Sequence, residues 1–114
     1  MASPVDDETA RWDRAARLLG DDLARRLEMR AVAAELELDY DRFRRVFRER
    51  FGRSPLAYRN DRRLEVAATL LRATNLTCRE IARRIGFADE FHLSRRFRGR
   101  YGVSPTGYRT GPRG

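Results

Sequence analysis

The sequence has few of the residues on which disulfides, metal sites and membrane spans depend. Its 114 residues include one cysteine, Cys78, one histidine, His92, and no lysine. One cysteine excludes an internal disulfide and a cysteine-based zinc site, and a histidine without an accompanying cysteine, histidine or carboxylate cluster supports neither a metal site nor a catalytic base. No apolar run is long enough for a bilayer span or a signal peptide. We therefore expect a cytoplasmic protein with no cofactor, no membrane partner and no enzymatic activity.

The positive charge is carried by arginine alone, and it is distributed unevenly. The formal net charge is +8, from 25 basic and 17 acidic residues. Residues 1–41 hold six arginines and eleven acidic residues, a balance of −5, whereas residues 42–114 hold nineteen and six, a balance of +13. Guanidinium groups bind phosphate and guanine edges through paired hydrogen bonds. The basic part therefore predicts a polyanionic partner, with a solvated mixed-charge helical surface as the alternative.

Apolar residues recur at helical spacing through most of the chain, which predicts an all-α fold of about seven helices. We expect the first helix to run from about Asp6 to Leu23 and to be opened by Ser3 and Pro4. Its apolar stripe is predicted to consist of Trp12, Ala16, Leu19 and Leu23.

Capping residues place the starts of three later helices. Ser54-Pro55 and Ser104-Pro105 each combine an N-capping serine with a proline suited to the first helical turn. The helix that begins at Pro55 is predicted to end near Ala73. Thr77 and Glu80 have the spacing of a capping box and therefore predict another helix start.

Two halves of the chain repeat each other. The pattern Phe-x-x-x-Phe-Gly-x-Ser-Pro-x-x-Tyr-Arg at residues 47–59 recurs at residues 97–109, fifty residues later, with one Phe replaced by Tyr. Upstream, Val-Ala-x-x-Leu at residues 32–36 recurs as Ile-Ala-x-x-Ile at residues 81–85. A periodic repeat of this kind indicates two copies of one helical unit. We predict a first helix-turn-helix subdomain at residues 1–53, a linker helix at 54–74, a second subdomain at 75–109 and a loose tail at 110–114.

This repeat resembles the DNA-binding domain of the AraC/XylS family of bacterial transcription regulators. The resemblance extends from about residue 12 to residue 109 and includes Arg-Leu-x-x-Ala-x-x-Leu-Leu at residues 63–71. It departs from the family at Glu37, where glycine is usual in the turn, and at Asp39, where serine is common. Most members also have a ligand-binding or dimerisation domain, and because these 114 residues do not include one, we expect a short stand-alone member.

The resemblance implies two homeodomain-like helix-turn-helix subdomains whose recognition helices span about residues 40–51 and 90–101. Helical spacing and the family pattern together predict base contacts from Asp41, Arg44 and Arg45 in the first unit and from Glu90, Phe91, Ser94 and Arg95 in the second. Phosphate contacts are predicted from Arg48, Arg59, Arg98 and Arg109. For Phe91 two interpretations stay open, namely packing on a thymine methyl group or packing in the core. Asp39 and Asp89 are interpreted as N-caps.

A linker helix of about 19 residues is about 28 Å long at 1.5 Å per residue, which with the flanking helices approaches one DNA turn of about 34 Å. Both recognition helices are therefore predicted to enter successive major grooves of double-stranded DNA, and a single chain to bind an asymmetric site as a monomer. The family resemblance further implies contact with RNA polymerase and activation more often than repression.

Two other functions remain compatible with these residues. Glu37, Asp39 and Asp41 place negative charge beside the first recognition helix. The first unit could therefore bind a protein partner while the second alone binds DNA, or the chain could coat nucleic acid without sequence preference. We expect the second unit to contribute most of the DNA affinity.

Overall fold

The computed structural model describes residues 4–111, with side chains from residue 8 onward. This part of the chain contains seven α-helices and no strand, which confirms the predicted all-α fold. The helices are α1 (Pro4–Gly20), α2 (Met29–Glu35), α3 (Tyr40–Phe51), α4 (Pro55–Ala73), α5 (Cys78–Ile85), α6 (Glu90–Tyr101) and α7 (Pro105–Thr110). None of the helices within this range is both long and apolar enough to cross a bilayer.

The chain divides into two compact units. One comprises the residues up to Asp22 together with Arg26–Arg59, and the other comprises Leu23–Arg25 and the residues from Asn60 onward. The first unit thus holds α1, α2, α3 and the first turn of α4, and the second holds the remainder of α4 with α5, α6 and α7. The division into subdomains and a separate linker helix, drawn above from the sequence, stays a prediction.

The first helix ends three residues earlier than its apolar pattern predicts. Trp12, Ala15 and Leu19 are its buried residues, whereas Ala16 is only half-buried and Leu23 lies beyond the helix end at Gly20. The chain turns away at Asp22, which has a left-handed φ of 47°. The predicted opening residue Ser3 lies outside the described residues, as do residues 112–114 of the predicted tail. Thr110, the first residue of that tail, is instead the last residue of α7.

The first unit has an aromatic core. Trp12 of α1 stacks on Phe43 of α3 with the ring centroids 6.2 Å apart and nearly parallel planes. Phe47 contacts Phe51 at 4.4 Å and meets Tyr58 edge-on at 5.3 Å. Aromatic pairs in these arrangements contribute beyond their buried area. They fix α3 through Phe43 and Phe47, which are fully buried and lie one helical turn apart.

The second unit repeats the aromatic cluster and surrounds it with aliphatic residues and the buried Phe87. Phe97 contacts Tyr101 at 4.6 Å and Tyr108 edge-on at 5.3 Å, within 0.2 Å of the corresponding distances in the first unit. The aliphatic part of this core is formed by Leu64, Ala67, Ala68, Leu71, Ile81, Ala82, Ile85 and Leu93. The sequence repeat is therefore also a repeat of packing.

Candidate nucleic-acid interface

Each unit contains a two-helix motif with one equivalent hydrogen bond across its turn. The N–H of Leu38 donates to the carbonyl of Ala33 at 2.9 Å, and the N–H of Phe87 donates to that of Ala82 at 3.0 Å. Both turns place one residue in the left-handed region, Glu37 with φ 58° and Gly86 with φ 83°. The two motifs therefore share this bond even though the first has no glycine in its turn. They differ at the left-handed residue, because the Glu37 N–H donates to the carbonyl of Ala34 and the Gly86 N–H donates to that of Ala82.

The turns differ in the space around that left-handed residue. A Cβ added at Gly86 would lie 2.3 Å from the carbonyl oxygen of Leu23 and 3.2 Å from the Cα of Ala24. Both of these neighbours are backbone atoms, so glycine is required there for close approach as well as for φ. Glu37 carries its full side chain in an exposed position.

Aspartates cap both candidate recognition helices, as predicted. The carboxylate of Asp39 accepts a hydrogen bond from the Arg42 N–H at 3.2 Å, and that of Asp89 accepts one from the His92 N–H at 2.8 Å. Each helix then runs over the predicted residues, Tyr40–Phe51 for α3 and Glu90–Tyr101 for α6, and each ends at a left-handed glycine. The negative charge of Asp39 is thus used within the fold.

The outward face of α3 carries every first-unit residue predicted to contact bases. Asp41, Arg44, Arg45 and Arg48 are all exposed and follow the i, i+3, i+4, i+7 spacing of one helical stripe. Other arginines of α3 turn toward α1, because Arg42 forms an ion pair with Glu8 at 3.9 Å and Arg50 lies over the Trp12 ring at 5.7 Å. This face of α3 is therefore strongly basic, with a single carboxylate at its N-terminal end.

The outward face of α6 carries the equivalent stripe of the second unit. Phe91, Arg95 and Arg98 are exposed, and Ser94 and Glu90 are half-buried. The Phe91 side chain is 65% exposed, so of the two interpretations of this ring, packing in the core is wrong. His92 instead occupies the inner side, where its ring meets Phe87 edge-on at 4.9 Å. Phe91 is thus a large apolar group on a surface whose other long side chains are mainly arginine.

The prediction that Arg59 contacts phosphate is wrong. Its side chain is 1% exposed, and its guanidinium donates to the carbonyls of Leu19, Asp21 and Asp22 at 2.8–2.9 Å. A helix end leaves such carbonyls without intrahelical partners, and a buried arginine can satisfy several of them. Arg59 therefore closes the end of α1 inside the first unit.

Arg109 makes equivalent contacts in the second unit, but its side chain is only half-buried, so its predicted phosphate contact stays a prediction. Its guanidinium donates to the carbonyls of Leu71 at 2.8 Å, Thr74 at 3.3 Å and Leu76 at 2.6 Å, at the end of α4. Arg59 and Arg109 follow the repeated tyrosine at equivalent positions. This equivalence is the sequence signal for the structural role. A residue that recurs in both copies of a repeat can be retained for the fold as well as for binding.

Sequence reasoning did not single out several arginines of the first helix of each motif. Arg79 and Arg83 on α5 are exposed one helical turn apart and line an open depression that also includes the second turn. On α2, the Arg30 guanidinium lies over the Tyr40 ring. Exposed arginines at i and i+4 on the helix before a recognition helix are the available sequence signal.

Within residues 8–111, no group of three histidine, cysteine, aspartate or glutamate side chains is placed to hold a metal ion. Arginine clusters beside an exposed helix stripe are suited to binding phosphates and base edges. The chemistry that the site offers is therefore recognition by hydrogen bonding and charge.

Comparison with known proteins identifies the class and then the family. The family profile described as "Helix-turn-helix domain" matches residues 32–111. The chain is 33% identical to the arabinose operon regulatory protein of Salmonella typhimurium over 84 residues, which are 74% of this chain and 30% of that protein. It is 32% identical to the transcriptional activator RhaS of Klebsiella pneumoniae over 111 residues, which are 97% of this chain and 40% of RhaS.

A solved structure agrees with these matches. The DNA-binding domain of AdpA, a global transcriptional factor solved in complex with a target DNA, superposes with a TM-score of 0.80 at 28% identity. The superposition covers 86% of this chain and 88% of that domain. The chain belongs to the AraC/XylS family of helix-turn-helix, DNA-binding transcription regulators, as its sequence resemblance predicted. It spans well under half the length of the two regulators named above.

Proposed function

We propose that the chain binds a specific, asymmetric site in double-stranded DNA as a monomer, with α3 and α6 in successive major grooves. The observation that supports this most strongly is the pair of exposed stripes on equivalent capped helices, which carry different residues. The α3 stripe presents Asp41, Arg44 and Arg45, whereas the α6 stripe presents Phe91 and Arg95. Because unlike side chains prefer unlike bases, two such helices select two different half-sites.

The proposed base contacts follow from the chemistry of each exposed group. Arg44, Arg45 and Arg95 pair with the O6 and N7 acceptors of guanine, and Asp41 accepts from the N4 amine of cytosine. Phe91 packs on the C5 methyl group of thymine. Ser94 and Glu90 are half-buried and reach bases only at the edge of the α6 stripe.

Phosphate contacts are proposed from exposed arginines that flank these stripes. Arg48 and Arg98 lie one turn beyond the base-contacting residues of α3 and α6 and are exposed. Arg79 and Arg83 replace Arg59 as candidates, because the first helix of a helix-turn-helix motif crosses the DNA backbone. The half-buried Arg109 stays a candidate as well. Contacts of this kind fix the register of the protein without reading the sequence.

The proposed biological role is activation of transcription in the bacterial cytoplasm, on the DNA of the nucleoid. RhaS, with which the chain shares 32% identity, is named a transcriptional activator. An activator on DNA acts through RNA polymerase, so we propose a contact between this chain and the polymerase. The proposal of activation rather than repression is based on the relatives. Transcription in vitro from a promoter that carries the selected site tests it separately from DNA binding.

Selection from random duplexes followed by sequencing tests the proposed function. We expect one asymmetric site, bound by one chain per duplex in sedimentation or light scattering. With about six to ten phosphate contacts, affinity should fall about 10³–10⁵-fold between 50 and 200 mM salt. A selected duplex that binds no more tightly than random DNA would contradict sequence-specific binding and favour a non-specific coat. A palindromic selected site bound by two chains would contradict the monomer.

A further inference from the structure

Two arginines of the first unit stack on one tyrosine at the start of α3. The guanidinium carbon of Arg30 lies 4.2 Å from the centroid of the Tyr40 ring, and that of Arg44 lies 5.5 Å from the same centroid. Arg30 belongs to α2, and Tyr40 and Arg44 are one turn apart on α3. Both distances are within the range at which a guanidinium is attracted to the face of an aromatic ring.

The tyrosine is held more firmly than the arginines. Tyr40 is half-buried and packs against the first-unit core, whereas Arg30 and Arg44 are exposed. An exposed arginine otherwise samples many rotamers, and that freedom is lost when it binds a base. A ring fixed by the core therefore restricts Arg44 before DNA arrives.

The second unit has no equivalent of this arrangement. The repeat places Arg79 at the position of Arg30, Glu90 at that of Tyr40 and Ser94 at that of Arg44. A carboxylate and a hydroxyl replace the ring and the second guanidinium. The stacked group is therefore specific to the first unit.

We propose that Tyr40 is a positioning residue that presets the Arg44 guanidinium for a guanine, and that Arg30, packed on the same ring, further restricts a side chain that the core leaves half-exposed. The inference rests on the proposed sequence-specific binding and adds a specificity-determining residue to it. The ring matters for this role and the hydroxyl does not, because the attraction of a guanidinium comes from the charge distribution of the ring face.

A double-mutant cycle on the selected duplex tests the proposal. The proteins are the wild type, Tyr40→Leu, Arg44→Ala and the double variant. Each protein is titrated against two duplexes. One is the selected site, and the other is the same site with one guanine replaced, namely the guanine for which Arg44→Ala loses its preference. Tyr40→Leu should lower the preference for that guanine about 3–10-fold and leave the preferences of the other half-site unchanged. In the double variant the loss should equal that of Arg44→Ala alone, because the two residues act as one unit.

Two further variants separate positioning from other roles. Tyr40→Phe keeps the ring and should keep the wild-type preference, whereas a loss there would assign the role to the hydroxyl and overturn the proposal. Arg30→Gln, an exposed change, should lower the same guanine preference by a smaller factor, and it serves if Tyr40→Leu does not fold as judged by circular dichroism. If the wild type has a clear selected site but the fold-losses of guanine preference from Tyr40→Leu and Arg44→Ala multiply in the double variant, the two residues act independently. That result overturns this inference alone. A wild type without any selected site overturns the proposed function as well.

Discussion

The arginines of this chain have two different roles, and each role recurs at equivalent positions of the repeat. Arg59 and Arg109 donate to helix-end carbonyls inside the two units, whereas Arg48 and Arg98 extend from exposed faces. The difference depends on what surrounds each residue, since every guanidinium is charged and offers five donors. Counting arginine in the sequence therefore overestimates the charge that is available to DNA.

Replacing Arg59 should destabilise the protein much more than replacing an exposed arginine. Arg59→Leu removes three hydrogen bonds from a buried charged donor and leaves the carbonyls of Leu19, Asp21 and Asp22 without it, a loss of about 3–5 kcal/mol in the free energy of unfolding. Urea denaturation followed by circular dichroism measures this loss. Arg48→Ala is the matched control, with an expected change within about 0.5 kcal/mol. Equal stabilities for the two variants would show that the carbonyl contacts of Arg59 contribute nothing.

At the scale of elements, the two turns share a left-handed residue and one equivalent hydrogen bond but use different residue types. Gly86 fits a left-handed φ and a close backbone contact, whereas Glu37 adopts a similar φ in exposed space. A non-glycine residue in that region is strained by about 1–3 kcal/mol. The first turn therefore stores strain that the second does not.

Substitutions at the two turns should change the free energy of unfolding in opposite directions. Gly86→Ala adds a Cβ that would lie 2.3 Å from the Leu23 carbonyl oxygen, so the second unit should lose about 3 kcal/mol or more of stability. Glu37→Gly relieves the strained φ and should gain about 0.5–1 kcal/mol after the entropy of glycine in the unfolded chain is included. Thermal or urea unfolding of both variants measures the two signs. A tolerated Gly86→Ala would mean that the Leu23 segment moves away at little cost.

Some elements were predictable from sequence because their signals are local. Both candidate recognition helices have the predicted bounds, since an aspartate cap and a terminal glycine define each of them within the chain itself. The end of α1 was predicted wrongly because Leu23 continued the apolar spacing, whereas its carbonyl accepts a hydrogen bond from Arg63 of the second unit. The role of Arg59 was missed for the same reason, as its acceptors lie 37–40 residues away in sequence.

At the scale of the whole molecule, the charge asymmetry and the two unlike stripes indicate unequal half-sites. The α6 stripe combines Arg95 with an exposed aromatic ring, and the α3 stripe places Asp41 among its arginines. A carboxylate near phosphates weakens binding unless it pairs with a cytosine amine. The second unit should therefore contribute more of the affinity for DNA. The first unit should discriminate more strongly between base pairs at each position that it contacts.

Variants in the two stripes should relax different positions of the same site. Arg95→Ala should cost about 1–3 kcal/mol and relax one position in the half-site of α6. Arg44→Ala and Arg45→Ala should each relax one position in the other half-site. Repeating the selection with each variant locates these positions. If both first-unit variants keep the affinity and sequence preference of the wild type, the first unit does not read bases and becomes a candidate for binding a protein partner.

The short segment Leu23–Arg25 belongs to the second unit, although residues 26–59 of the first unit separate it in sequence from the rest of that unit. Its carbonyls accept hydrogen bonds from Arg63, at 3.1 Å for Leu23 and 3.5 Å for Arg25, and its backbone approaches Gly86 closely. A fragment that begins at Asn60 therefore lacks three residues of its own fold, and a cut anywhere between residues 26 and 59 separates them from it. A fragment that holds the whole second unit must therefore begin at or before Leu23 and include residues 26–59, which belong to the first unit.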